Sequence, residues 1–456
     1  MVKISAVITT YNYSKYLKQC VDSVLNQTQS DYEIIIVDDA STDNIEEVLK
    51  QYEGRKNIRI IRHSKNQGLI KSCDEAIKES GGEYIIRLDA DDYFDENALL
   101  ILSGILDRNP GVGLVYSDYF KIRDDGNIIE YVRWPKLGKE DKVMDMPANG
   151  AGCMFRRSCY DAIGGYNKNV KCQDGLDLWI KITNKFKVLN INLPLFYYRK
   201  HDLSMSSDNN FEKKQDSRRI IKDEFVQNNF NKDMKVLGII PARAKFDFCD
   251  MLPLRELCGK PLIAYSIEEA KKSKYIDKVV VVTESKKIAD VAREYEADVI
   301  MRPARLSDSS IPIGNTVFHV LNKLKESGYV PDAVAALYLL NPLRTHESIN
   351  EAINTLIINN VDSVISVCED MDLHYQHGPY GMRPLFEKRL MRKERESLFK
   401  ENGAVYISKL NAIKKNRLLG KKIGHILMGR KEGLRVDNPF DFWLAEQILK
   451  SRCKDE

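Results

Sequence analysis

Leu88-Asp89-Ala90-Asp91-Asp92 places three carboxylates within four positions, directly after the apolar run Tyr84-Ile85-Ile86-Arg87-Leu88. So much negative charge at the end of a strand is costly unless a cation offsets it. An oxygen-rich loop of this kind suits Mg²⁺ or Mn²⁺ held jointly with substrate phosphates. The plainer reading is a solvated acidic turn that also caps a helix starting near Glu96. Two further polar clusters, Thr9-Thr10-Tyr11-Asn12 and Asp38-Asp39, also follow apolar runs.

The elements that would position these clusters alternate in type. Ile4–Thr9 is an apolar strand, and a polar helix follows with Leu17, Cys20, Val21, Val24 and Leu25 at helical spacing. Glu33–Val37, Asn57–Arg62 and Tyr84–Leu88 read as further strands, the last after a helix that stops at Gly81-Gly82. A β-α-β rhythm predicts a mostly parallel sheet covered by helices on both faces. Ligands bind such sheets at the carboxyl ends of the strands, near a topological switch. All three polar clusters fall at such ends.

The texture changes near His201. Residues 202–233 are rich in Ser, Asn, Asp and Lys, with helical fragments such as Arg218–Phe225, and read as a linker or bridging helix. Met234–Pro241 then opens a new apolar strand, and Val279–Val282, Ala333–Leu340 and Ser363–Val367 continue a second α/β rhythm. The expected domains are 1–205, a joining segment 206–233, and 234–456.

The 456 residues are too many for one ordinary domain, and 43% hydrophobic content supports sizeable cores. Lys+Arg 70 against Asp+Glu 66 carries no nucleic-acid signature. No apolar run reaches membrane-spanning length, and because Met1-Val2-Lys3-Ile4 runs straight into a strand no signal peptide is expected. Nine Cys without a Cys-x-x-Cys pair argue for reduced thiols, and against a disulfide framework or structural zinc. The expected location is cytoplasmic, either free or peripheral at the inner face of the membrane.

Val7-Ile8-Thr9-Thr10-Tyr11-Asn12, Ser23–Thr28, Val37-Asp38-Asp39-Ala40-Ser41-Thr42-Asp43, Asn66-Gln67-Gly68 and Asp89–Asp92 occur in the order and spacing of a known family. Over about residues 1–205 the chain resembles the family 2 glycosyltransferases with a GT-A fold. The resemblance implies a nucleotide-diphospho-sugar donor and Mn²⁺ or Mg²⁺ as cofactor, because two phosphate charges must be offset as the sugar leaves. It makes Asp91 the main metal ligand and sets Asp89 on the ribose, or on the metal through water. It makes Asp39 the acceptor of the base's imide N–H and Tyr11 the stacking platform, with Thr9 and Asn66 in the same donor site. A helix cap remains the alternative for Asp39, and plain packing for Tyr11.

An inverting transfer also needs a general base. Cys172-Gln173-Asp174-Gly175-Leu176-Asp177-Leu178-Trp179 resembles the motif that supplies it, although many relatives carry Glu-Asp where this chain has Asp174-Gly175. Asp174 is the expected base and Asp177 the alternative, with a helix cap as the other reading of Asp177. Gly150–Arg157 resembles the strand and turn at the acceptor floor. His201 resembles a basic residue that meets the diphosphate or metal, against the alternative of a solitary surface histidine.

The second half resembles the acylneuraminate cytidylyltransferases in Ile239-Ile240-Pro241-Ala242-Arg243, Leu257–Leu262, Asn341–Thr345 and Glu401–Tyr406. This family couples CTP to sialic-acid-like sugars. The chain departs from it where CTP would sit. Ala244–Pro253 contains no Gly to let backbone approach phosphate, and Asp247 stands where the family has Lys. Leu252-Pro253 replaces a Lys-Asn pair, Tyr338–Pro342 replaces Gln-Pro-Thr-Ser-Pro, and Arg435-Val436-Asp437 replaces a metal-binding Asp-x-Asp. Arg243 and Asp437 are what remains of that site.

The expected fold is therefore two Rossmann-like α/β domains, a GT-A glycosyltransferase followed by a cytidylyltransferase-like nucleotidyltransferase fold. The expected activity is transfer of a sugar to a glycan, lipid-linked or protein acceptor. The second domain would serve oligomerisation or ligand binding, making the chain a homo-oligomer. Two other readings are a bifunctional enzyme that makes and uses a CMP-sugar, and a non-catalytic glycan-binding scaffold.

Overall fold

The computed structural model describes residues 2–134, 150–201, 211–230, 234–386, 389 and 398–455. Contacts divide the chain into two units, 1–221 and 222–456. The division falls inside a helix, α7 in the count below, within the segment expected to join the domains. Residues 202–210 and 231–233 of that segment lie outside the described residues.

The first unit runs β1 (Ile4–Thr10), α1 (Ser14–Leu25), β2 (Tyr32–Asp38), α2 (Ile45–Leu49), β3 (Ile58–Arg62), α3 (Leu69–Glu79), β4 (Tyr84–Asp89) and β5 (Tyr93–Phe94). It continues with α4 (Ala98–Arg108), β6 (Val112–Ile122), β7 (Ile128–Val132), β8 (Cys153–Arg156), α5 (Arg157–Ala162), α6 (Asp174–Lys185), β9 (Lys187–Arg199) and α7 (Phe211–Asn229). The sheet order is β3-β2-β1-β4-β8-β6-β9-β5, with β7 on β6. β1, β2 and β4 are parallel, and β1 is buried along its whole length. A strand covered on both faces reads as a continuous apolar run, which is the pattern in the sequence. Helix α1 turns Leu17, Cys20, Val21 and Val24 into the core, one stripe at helical spacing.

Register aligns the polar clusters. Thr10 sits opposite Asp38, and Thr9 sits opposite Asp89. The chain then leaves all three strands on the same edge, with β1 between its neighbours at the switch of direction. The acidic turn does not cap a helix, because β5 intervenes and pairs Tyr93 with Tyr197. Helix α4 starts later than expected, at Ala98, with Asn97 at its N-cap.

The second unit comprises β10 (Val236–Pro241), β11 (Glu256–Leu257), β12 (Lys260–Pro261), α8 (Leu262–Lys272), β13 (Ile276–Thr283), α9 (Lys286–Glu294), β14 (Asp298–Met301) and α10 (Ile313–Glu326). Then come β15 (Ala333–Ala336), α11 (His346–Asn359), β16 (Ser363–Asp370), β17 (Tyr375–Gly378), β18 (Gly381–Pro384), β19 (Leu398–Lys409), β20 (Ile423–Leu427) and α12 (Pro439–Asp455). The main sheet has the order β14-β13-β10-β15-β19-β16-β20. β15 ends at Ala336, not Leu340. The apolar residues beyond it form a buried turn whose Tyr338 carbonyl accepts from buried Arg344 at 3.0 Å.

Candidate functional site

A cleft of about 360 Å³ opens at the carboxyl ends of β1, β2 and β4. Thr9, Tyr11, Asp39, Asn66, Asp89 and Asp91 all line it. Its size suits a small-molecule site that continues into solvent. Tyr11 is 45% exposed, so its ring is a wall available for stacking and has no core-packing role.

The loops around the cleft are held by backbone that ordinary residues adopt at a cost. Asn12, Ala40 and Gln173 have φ of 60°, 63° and 65°. Each adjoins a candidate residue: Tyr11, Asp39 and Asp174. Left-handed conformations at such residues cost about 1 kcal/mol or more and persist only where surroundings fix them. Asn12 is fixed by Ser41 Oγ, which accepts from its N–H at 2.9 Å, and by its own Oδ1, which accepts from Thr42 N–H at 2.7 Å.

Asp39 does not cap α2. Its Oδ1 meets His63 Nδ1 at 2.7 Å and accepts from Gln67 N–H at 2.7 Å, while Oδ2 accepts from Gly68 N–H at 2.7 Å. Gly68 makes this geometry available, since φ of 91° at the start of α3 strains any other residue.

The acidic turn distributes its charge unevenly. Arg87 grips Asp89 through two bonds of 2.9 and 3.1 Å. Asp91 Oδ2 is 2.9 Å from His201 Nε2. His201 is thereby buried and partnered, and its ring stacks on Tyr16 at 5.2 Å, so the reading of a solitary surface histidine fails. Asp92 Oδ1 accepts from Arg199 N–H at 2.8 Å, while its buried Oδ2 has no partner. Burial and the charges of Asp91 and Asp89 push the Asp92 carboxyl well above the usual range. Asp89 is also raised, by burial first, although Arg87 pulls the other way. The same surplus of negative charge, added to burial, raises the Tyr13 phenol.

Orphaned oxygen and uncompensated charge beside Asp91 fit a divalent cation. Among the described residues no group of three or more His, Cys, Asp and Glu side chains forms a metal cage. The donor set therefore fits an ion held by one or two carboxylates and completed by substrate phosphates, the usual manner of Mg²⁺.

Asp174 opens α6, at its positive end. It is buried, and the other arm of the Arg87 guanidinium holds Oδ2. Gly150 leaves room for this pair: a Cβ there would lie 3.1 Å from Arg87 and 3.2 Å from Asp174. Asp177 does not cap the helix. It sits one turn in, where Oδ2 accepts from Asn167 N–H at 2.7 Å and from Lys181 Nζ at 2.9 Å.

Two site residues escaped the sequence reading. Arg87 looked like one polar position in an apolar strand, and only the fold sets it between Asp89 and Asp174. Lys171 lines the cleft with Asp89 and Asp91, three residues before Asp174. Its local sequence, Lys168-Asn169-Val170-Lys171, resembles any solvated loop.

In the second unit Arg243 and Asp437 do not pair with each other among the described residues. Arg243 lies over the Phe246 ring at 4.6 Å, and Asp437 bonds Arg435 at 2.9 Å. The loop that should open toward a triphosphate is closed on protein groups. Ala244 N–H donates to Glu284 Oε1 at 2.6 Å, and Met251 N–H donates to the Ala244 carbonyl at 2.6 Å. Glu284 Oε2 also meets Arg302 at 3.1 Å.

The sequence pattern described as Glycosyl transferase family 2 matches residues 5–163, and that described as Cytidylyltransferase matches residues 237–425. Chondroitin synthase of Pasteurella multocida (strain Pm70) is 31% identical over 191 residues, 41% of this chain and 20% of that protein. Chondroitin synthase of Escherichia coli is 29% identical over 191 residues, 41% of this chain and 28% of that protein. CMP-N,N'-diacetyllegionaminic acid synthase of Legionella pneumophila is 30% identical over 229 residues, 48% of this chain and 97% of that protein. The chain thus spans under a third of either chondroitin synthase and nearly all of the Legionella protein.

Proposed function

We propose that this chain, which belongs by its first domain to the family 2 glycosyltransferases and by its second to the cytidylyltransferases, uses the first to move a sugar from a nucleotide-diphospho-sugar. The observation that carries the reading is the strand register, which draws Tyr11, Asp39, Asn66, Asp89 and Asp91 around one cleft. Tyr11 offers a ring face to the base and Asp39 an acceptor. Asp91 would hold Mn²⁺ or Mg²⁺, with His201 orienting its carboxylate and Asp89 nearby. When bound, such an ion supplies positive charge against the two phosphates of the departing nucleotide. Lys171 adds a cation on the same wall.

Asp174 takes the proton from the acceptor hydroxyl as general base, giving inversion. Arg87 fixes the direction of that carboxylate. The relatives named chondroitin synthase make a glycan the first acceptor to test, ahead of lipid-linked or protein acceptors. A role in polysaccharide assembly follows from the same names. The second domain serves oligomerisation or ligand binding, since Glu284 already occupies its loop amide. Among the described residues no helix is long and apolar enough to cross a membrane.

The test is a thermal-shift panel of the full chain with UDP-, GDP-, dTDP- and CMP-sugars, each with and without Mn²⁺. One donor class should stabilise the protein, and more strongly with the ion. No response to any donor would overturn the reading.

A further inference from the structure

His63 is a buried ionisable group that the donor reading leaves without a role. It directly follows β3, its side chain is 4% exposed, and its N–H donates to the Asp38 carbonyl at 2.9 Å. Both ring nitrogens face carboxylates: Nδ1 meets Asp39 Oδ1 at 2.7 Å and Nε2 meets Glu75 Oε2 at 2.9 Å. A neutral imidazole has one N–H and one lone pair, so it can donate to only one of the two carboxylates. Two such partners at these distances call for both nitrogens to donate, which is the imidazolium. Burial opposes that charge, but the bonds to Asp39 and Glu75 outweigh it and raise the group above its ordinary value.

The consequence falls on Asp39. Its Oδ1 is filled by His63 and Gln67 N–H, and its Oδ2 holds Gly68 N–H with lone-pair capacity to spare. Three donors on its two oxygens fix its direction and call on it only as an acceptor.

We propose that His63 is a positioning and base-selecting residue: it locks Asp39 as an acceptor, so the cleft takes a base presenting a ring N–H, as uracil and thymine do. Cytosine is turned away, because its ring nitrogen on that edge is itself an acceptor. The inference rests on the donor-site reading above. It also bears on the whole chain, since a CMP-sugar, the product class of the second domain's family, is then the wrong donor for the first.

Calorimetric titration of the full chain with UDP and with CDP, both with Mn²⁺, tests this. The parent should bind UDP about tenfold or more tightly than CDP, as loss of one charge-assisted bond and gain of a repulsion require. His63→Gln should shrink that ratio by roughly tenfold, mainly by weakening UDP. Glu75→Gln changes a half-exposed helical position and should fold regardless; it should shrink the ratio less, in the same direction. A purely structural role for His63 would weaken both nucleotides alike, so an unchanged ratio in both variants overturns the proposal and leaves the donor reading standing. A folded parent that binds neither nucleotide overturns the donor reading and the proposal with it.

Discussion

Arg87 holds two carboxylates to which the proposed function gives different duties, and substituting each should separate them. Asp89 faces the cleft proposed for the donor and Asp174 the proposed acceptor side, with one guanidinium between. Asp174→Asn keeps the bond geometry but cannot take a proton. Turnover should fall by roughly 10²-fold or more with donor affinity nearly unchanged, read as kcat against donor KM. A fully active Asp174→Asn enzyme beside an inactive, folded Asp177→Asn enzyme would move the base to Asp177. We expect Asp177→Asn instead to lower stability by about 1–3 kcal/mol in urea unfolding, because the buried carboxylate ties Asn167 and Lys181 to α6. Asp91→Ala should abolish the Mn²⁺-dependent part of donor binding in a folded protein, and Asp89→Ala should weaken it less. Lys171→Ala should raise donor KM several-fold with kcat changed less, and an unchanged KM would remove Lys171 from the donor site.

Strands were legible in the sequence where burial on both faces writes an apolar run, as in β1, β2 and β4. Edges were less legible. Tyr93-Phe94 is too short to show a period, yet it pairs with β9 and delays α4 to Ala98. The apolar residues after Ala336 looked like strand because they are buried, but they fold around Arg344 as a turn. Of the site, the residues carried by contiguous motifs could be named, and the structure gathers Thr9, Tyr11, Asp39, Asn66, Asp89 and Asp91 at one cleft. His63 and Arg87 could not be assigned, because the partners that give them a place in the site, Asp39 and Asp174, lie 24 and 87 positions away and leave no local pattern. The packing between β1 and β4 yields a prediction of its own. A Cβ on Gly82 would meet the Ser5 backbone nitrogen at 2.6 Å, and neither strand can move without shifting the register that aligns the clusters. Gly82→Ala should cost about 1–3 kcal/mol by urea unfolding and reduce donor binding with it. Unchanged stability would mean that the strand ends tolerate displacement.

For the whole molecule the question is why a cytidylyltransferase fold accompanies the transferase domain at all. The fold is intact, since β10, β13 and β15 form a continuous parallel core. What departs from the family pattern is local and chemical. A triphosphate with its Mg²⁺ needs backbone N–H groups, a Lys or Arg, and usually two carboxylates. In this chain the Ala244 N–H is taken by Glu284, Asp247 stands where the family has Lys, and Asp437 is paired with Arg435. Arg243 lies over Phe246 beside buried Arg302, whose own charge it opposes. The full chain given CTP, Mg²⁺ and a nonulosonic acid should therefore release no pyrophosphate, and CTP should not raise its melting temperature. The UDP response of the first domain serves as the internal control for folded protein. Pyrophosphate released only when the sugar acid is present would restore the bifunctional reading. Combined with a cleft that rejects cytosine, that result would mean that the two domains serve different sugars.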